Sequence, residues 1–252
     1  MRLRDRWRKY EIWTDRQAQR WHTRGVRGYG QYCPVAKAAE VLGERWTLLI
    51  VRDLIMGAHR FTDLERGLPG ISRTLLSDRL RRLQADGLVE QRRGLSGRAE
   101  YWLTPLGKDL QPAVMAVGEW ATRNFGRDPH RGELDPEVLM LWIERNARRD
   151  AFPRERLVVR FELLGARVPR SWLVVEDQVP SVCHDDPGFE VDLIVSAELH
   201  DLYLVFVGRM ALSAALRKGS ITLEGSPAQR RGFMRWFGLS PFAKTAREAL
   251  VS

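Results

Sequence analysis

The chain has 252 residues, 44% hydrophobic and 29% charged, which is long for one domain, comfortable for two, and indicative of neither a disordered nor an oily membrane class. Its apolar runs, such as Leu202 to Val207, are far too short to span a bilayer and no charged-then-apolar leader opens the sequence, so the expectation is a soluble, cytoplasmic protein without a membrane partner. The net charge of +9 is unevenly divided: residues 1–30 carry 9 basic and 3 acidic groups, residues 31–125 carry 14 and 11, and residues 126–252 carry 18 and 18. The whole excess lies in the first half, which predicts a polyanionic partner for that half, nucleic acid rather than membrane, with binding that weakens as salt rises.

Residues 1–28 interleave arginines with Trp7, Tyr10, Trp13 and Trp21. Three readings of this segment stand side by side: a DNA-contacting arm, a helix that packs on a partner subunit, or an upstream extension from a misplaced start. Pro34 opens the first helix, in which Val35, Ala38, Ala39 and Leu42 recur at helical spacing before Gly43 breaks it. A second helix over about 44–56 is predicted to bury Trp46, Leu49, Ile50 and Leu54 and to end at Gly57. Thr62 followed by Glu65 has the capping-box form and marks a short third helix, stopped by Gly67.

After the Pro69-Gly70 turn, Ser72 is a natural N-cap for a helix running to Gln84. Leu75, Leu76, Leu80 and Leu83 gather on one arc of it; Thr74, Ser77, Asp78 and Arg81 fall opposite, with Arg73 at the edge. Arg79 falls inside the apolar arc and is expected to make an internal salt bridge. Taken alone, such a helix is more often a surface helix with a solvated basic face. A short helix, a glycine turn and a helix with a polar outer face are, however, the helix-turn-helix pattern, whose second helix lies in the major groove. Residues 88–93, 94–98 and 99–103 then read as strand, turn and strand. A basic tip on a hairpin often serves only solubility, but in this order the hairpin is a wing, with Arg92, Arg93 and Arg98 placed for phosphates or the minor groove. Thr104-Pro105 starts a long helix whose stripe of Leu106, Leu110, Val114, Val117 and Trp120 suggests a dimer seam.

The run from Tyr32-Cys33-Pro34 through Gly43-Glu44-Arg45-Trp46-Thr47-Leu48-Leu49-Ile50-Val51-Arg52-Asp53-Leu54, Arg60-Phe61-Thr62-Asp63-Leu64, Leu68-Pro69-Gly70-Ile71-Ser72, Gly87-Leu88-Val89 and Tyr101-Trp102-Leu103-Thr104-Pro105-Leu106-Gly107 resembles the HxlR-type winged helix-turn-helix regulators of bacteria. The resemblance covers roughly residues 29–125. It implies double-stranded DNA as partner, a homodimer with helices at the ends of the domain as seam, and a palindromic operator. Ser72, Arg73, Thr74, Ser77 and Arg81 are the helix residues expected at the DNA, with Arg92, Arg93 and Arg98 on the wing. Family members often carry a cysteine where Cys33 stands, and in some it senses oxidants or electrophiles. A thiol ahead of a helix N-terminus near basic side chains permits that role, and a small, partly buried cysteine without chemistry is the plainer alternative.

Asp128-Pro129-His130-Arg131-Gly132 reads as a linker within residues 127–133. Beyond it, a helix over about 136–149 is followed by alternating stretches at 157–163, 171–175 and 190–195 that read as strands. Helices at about 197–207 and 209–216, a strand within 218–226 and a closing helix at 227–237 complete an α/β module over 134–252. The strand Val191 to Val195, the helix Leu199 to Val207 and above all the run Ala214 to Ser226 resemble the sterol carrier protein type two fold. That resemblance implies an apolar tunnel and a small hydrophobic effector, lined by Trp142, Trp172, Leu202, Phe206, Met210, Met234 and Phe237; for each of these, ordinary core packing is the competing reading.

No catalytic residue, metal site or cofactor is expected. The five histidines are scattered, no phosphate loop or HExxH occurs, and Cys33 and Cys183 lack metal-ligand spacing. Cys183-His184-Asp185-Asp186 reads as a solvated turn, because neighbours on a strand point to opposite faces. The expectation is therefore a mostly α winged helix-turn-helix domain over 29–126 joined to an α/β effector domain, acting as a dimeric, non-enzymatic regulator. The alternatives are a lipid or small-molecule carrier whose winged helix serves dimerisation, and a redox-sensing repressor using Cys33.

Overall fold

The structure is a computed structural model that describes residues 28–94 and 97–250; the segment through Arg27, with its three readings, and Leu95 and Ser96 lie outside the described residues. The chain divides into compact units of residues 1–48 and 49–252. In the first, α1 (Pro34–Leu42) begins with proline at a position whose missing N–H would have had no partner, and the Gly43 N–H returns to the Ala39 carbonyl. The helix expected from Glu44 starts later, as α2 (Thr47–Ile55), because Trp46 adopts a left-handed φ of 80° under the Arg45 guanidinium.

The second unit holds most of α2 and everything after it. Within α2, Ile50, Val51 and Leu54 are inside, while of the residues predicted buried Leu49 is 38% exposed and Trp46, ahead of the helix, is half-buried. Helix α3 (Phe61–Gly67) begins one residue before Thr62, so the threonine lies within the first turn and cannot cap it. The N-cap is Arg60, without a side-chain bond, and the predicted capping box does not form. The turn passes through Gly70 at φ 87° into α4 (Arg73–Ala85), where the Ser72 hydroxyl accepts the Leu75 N–H at 3.2 Å and Leu76, Leu80 and Leu83 are buried. Strands β1 (Val89–Arg93) and β2 (Ala99–Leu103) pair antiparallel from Val89↔Leu103 to Arg93↔Ala99.

The single long helix expected after Thr104 is two helices, α5 (Pro105–Lys108) and α6 (Gln111–Phe125). Pro112 explains the break: its ring would meet the carbonyl four residues back, and it has no N–H to give.

The α/β half opens with α7 (Pro136–Asn146), capped by Asp135, whose side chain accepts the Glu137 and Val138 N–H groups. A five-stranded mixed sheet follows in the order β5-β4-β3-β6-β7. Its strands are β3 (Leu157–Leu164), β4 (Arg170–Glu176), β5 (Val179–Cys183), β6 (Leu193–Glu198) and β7 (Ile221–Gly225). Only β3 and β6 run parallel. Strand β5 was hidden in the sequence because Pro180 interrupts it; at the sheet edge a proline is tolerated. The strand expected at 190–195 is β6, three residues later. Helices α8 (Leu199–Phe206), α9 (Leu212–Lys218) and α10 (Pro227–Trp236) share one apolar core with α7, and α11 (Ala243–Ala249) is a helix that the sequence reading lacks.

Leu157, Val159, Phe161, Leu173, Val175 and Val195 face this helical core. Strand alternation puts Arg156, Val158, Arg160 and Trp172 on the other face. The β5–β6 connection passes there, with the Phe189 ring 4.0 Å from the Arg156 guanidinium. Among the described residues no helix is long and apolar enough to cross a membrane.

Candidate nucleic-acid interface

The outward side of α4 is built by the leucines beneath it. With Leu76, Leu80 and Leu83 inside, helical spacing leaves Thr74 and Arg81 exposed and Ser77 half-buried on one strip. Arg73 leans back: its Nη1 donates to Glu65 Oε2 at 2.8 Å and its guanidinium sits 5.1 Å from the Phe61 ring centre, tying the start of α4 to α3. Arg81 pairs with Asp78 one turn earlier, and both are exposed. Exposed pairs of this kind contribute little to stability, so Arg81 can exchange its partner for another anion at small cost. Arg79, placed in the apolar arc by the sequence, is half-buried.

On the wing, Arg92 pairs with Glu90 and lies 5.2 Å over Trp102, whose other neighbour is the His59 ring, stacked at 3.5 Å. Arg93 Nε donates to the Gly97 carbonyl at 3.4 Å, and Arg98 is exposed. His59 was not singled out by sequence reasoning. Its Nδ1 donates to the Tyr101 carbonyl at 3.1 Å while the Tyr101 N–H donates back to the His59 carbonyl at 2.7 Å, so the residue before the N-cap of α3 is bonded to the wing. Burial holds the imidazole pKa below its usual value, against the pull of that carbonyl.

A buried charge cluster lies under α3. Asp53 of α2 is 0% exposed; its Oδ1 accepts from Arg52 at 2.8 Å and its Oδ2 faces Arg145 Nη1 of α7 at 3.6 Å. Burial pushes the Asp53 carboxyl pKa up, and the two arginines oppose that rise. Gly67 is obligatory beside it, since a Cβ there would stand 2.1 Å from Asp53 Oδ2.

The remaining expected residues are dispersed. In the first unit, Cys33 is the N-cap of α1, half-buried, and its side chain makes no capping bond. Of the apolar set, Leu202, Phe206 and Phe237 are filled core. Trp142 stacks on Phe206 at 6.1 Å and carries Arg52 at 5.8 Å, so it joins helices instead of lining a tunnel. Met210 packs at the core margin, and Met234 is 42% exposed on α10. Trp172 lies on the opposite face of the sheet, because strand parity separates it from Leu173. A hollow of about 1290 Å³ is lined by none of these seven; its wall carries Asp201, Lys218 and His200. Lys218 Nζ donates to Asp201 Oδ2 at 2.8 Å. His184, expected in a solvated turn, follows the last residue of β5 and lies 3.2 Å from the Ser171 hydroxyl.

Residues 41–129 match the family described as HxlR-like helix-turn-helix. The uncharacterized HTH-type transcriptional regulator YvaP of Bacillus subtilis is 39% identical over 95 residues, 36% of this chain and 88% of that protein. YtfH of Escherichia coli, of the same description, is 32% identical over 121 residues, 47% of this chain and 88% of that protein. A third such regulator, from Mycobacterium tuberculosis, is 46% identical over 95 residues, and there the chain spans only 60% of its relative. With α3, α4 and the β1–β2 wing in sequence order, and two relatives matched over most of their length, this chain belongs to the HxlR-like helix-turn-helix family.

Proposed function

We propose that the protein is a DNA-binding transcriptional regulator that acts as a homodimer on a palindromic operator, with α4 in the major groove and the wing on the flanking backbone. The observation that carries this reading is the strip of Thr74, Ser77 and Arg81, outward over three buried leucines and beside a wing bearing Arg92, Arg93 and Arg98. The relatives' names, HTH-type transcriptional regulators, agree with the regulatory part of it. Dimerisation is supported by α6, where Val117 is 47%, Trp120 53% and Phe125 67% exposed, an apolar face that a second copy would cover.

Selection of bound fragments from genomic DNA, followed by titration of the selected site, tests the assignment. Replacing Thr74 and Arg81 together by alanine should relax sequence preference and cost about 1–3 kcal/mol for each base-reading side chain. Unchanged affinity and selectivity would refute the placement of α4.

A small-molecule input through the α/β half is the second part of the proposal. Its support is the roughly 1290 Å³ hollow and the Ala214 to Ser226 run that resembles the sterol carrier type. The polar wall of that hollow favours a ligand with charged or hydrogen-bonding groups over a purely apolar one. Melting the protein with and without an organic extract of its own preparation tests for it: a bound effector raises the melting temperature, and no shift with any fraction would count against it.

A further inference from the structure

Arg145 lies outside residues 41–129, the part that matches the family, yet it completes the packing beneath the helix-turn-helix. Helix α3 is seven residues long, with no side-chain cap at its N-terminus. Two guanidinium groups reach its carbonyls: Arg145 Nη2 donates to Asp63 O at 3.1 Å and Arg52 Nη2 to Gly67 O at 3.4 Å. Both arginines converge on the same buried Asp53 carboxylate. Arg145 itself is 7% exposed, so it is not a surface charge that happens to touch a neighbour. Trp142, one turn earlier on α7, meets Arg52 from the same side, so α7 presents two side chains to one spot.

We infer that Arg145 is a positioning residue for DNA reading: through the Asp63 carbonyl it holds α3, through Asp53 it holds the α2 beneath it, and through the short turn after Gly67 it fixes α4. The inference rests on α4 being the DNA-reading helix. It makes the α/β half a part of the reading head, because the placement of α3 depends on α7 staying docked.

The test compares full-length wild type, Arg145→Met and Arg145→Lys, with Arg145→Gln in reserve should the methionine variant not fold. Affinity for a selected operator and for unrelated duplex is measured at two salt concentrations, with amide hydrogen exchange over residues 61–85. Arg145→Met should lower specific affinity by roughly tenfold or more, the loss of one charge-assisted hydrogen bond. Binding to unrelated duplex and its salt dependence should stay near wild type, exchange over 61–85 should rise, and Arg145→Lys should recover part of both losses. A merely structural role would lower specific and unspecific binding together, and that outcome, or unchanged exchange and selectivity in Arg145→Met, overturns the inference. If wild type shows no operator preference while Arg145→Met still loosens 61–85, the functional proposal fails and the coupling of α7 to α3 stands.

Discussion

Gly107 offers a sharp test of how the wing is seated. It is buried in α5, and a Cβ added there would lie 2.1 Å from the Leu88 carbonyl oxygen, 3.1 Å from its carbon and 3.0 Å from Leu103 Cδ2. That oxygen is not free to move, because it accepts the Thr104 N–H at 3.0 Å while the Thr104 hydroxyl donates to the Gly87 carbonyl at 2.6 Å. Ordinary contact between nonbonded heavy atoms needs about 3.5 Å, so Gly107→Ala must push the base of the wing away from α5 by about 1 Å or more. Overpacking of this kind costs about 1–3 kcal/mol. At roughly 2–4 °C per kcal/mol for a chain of this size, the melting temperature should fall by about 2–12 °C. Gly132→Ala is the control: nothing lies within 4 Å of a Cβ there, and its effect should stay within about 0.5 kcal/mol. Calorimetry of the two variants beside wild type decides the matter. If Gly107→Ala melts with the control, the close seating of Leu88 on α5 is wrong.

Leu80→Ala removes a side chain that is 1% exposed under α4 and should cost about 2–5 kcal/mol in urea unfolding; a cost below about 1 kcal/mol would mean the underside of α4 is not packed as described. His59 has a folded pKa below 6.5, so between the two values the unfolded chain binds more protons and stability must fall as the pH drops from about 6.5. His59→Gln should flatten that limb of the profile, and an unchanged profile would contradict it. The Lys218 hydrogen bond is the chief cause holding the Asp201 carboxyl below 3.8, so its contribution is present above that pH and is lost as the pH falls through the folded value. Lys218→Met should therefore be less stable than wild type at neutral pH and converge with it in acid; a difference that persists in acid would assign the effect to something else. Alanine at Arg92, Arg93 and Arg98 should weaken binding to all duplexes alike, the salt slope shrinking by about 0.9 for each phosphate contact removed. Preserved slope with lost selectivity would move these residues from backbone to base contact.

What the sequence makes legible is local. Ser72 as cap, the three buried leucines of α4 and the hairpin after Gly87 follow from neighbours within a few positions, and they stand where the pattern puts them. The split at Pro112 was legible too, and the apolar stripe spanning it hid the signal. Strand β5 escaped because Pro180 suppresses a strand reading that only a sheet edge permits. The apolar lining set failed for a different reason. Which face of β4 a residue joins is a matter of parity, and which face becomes the helical core depends on elements far along the chain; Trp172 and Leu173 are neighbours with opposite addresses. The partnership of Asp53 with Arg145 joins residues far apart in sequence, and no local pattern announces it.

The segment read as a linker has a practical consequence. Its Arg127 and Glu133 are forked together, with the Glu133 pKa held down to about 2 chiefly by that hydrogen bond, while Arg209 reaches back to Asp128 and Gly126, and the Tyr203 hydroxyl both donates to the Asp135 carbonyl and accepts its N–H. A protease aimed at this joint would nick a strap that is laced down, and the two fragments should co-purify after the cut. Expressing residues before Gly126 alone would also strip Arg145 from Asp53, so the truncated chain would carry an acid that has lost one of its two cations. Anyone joining residues before Gly126 to a different domain should carry α7 along with them.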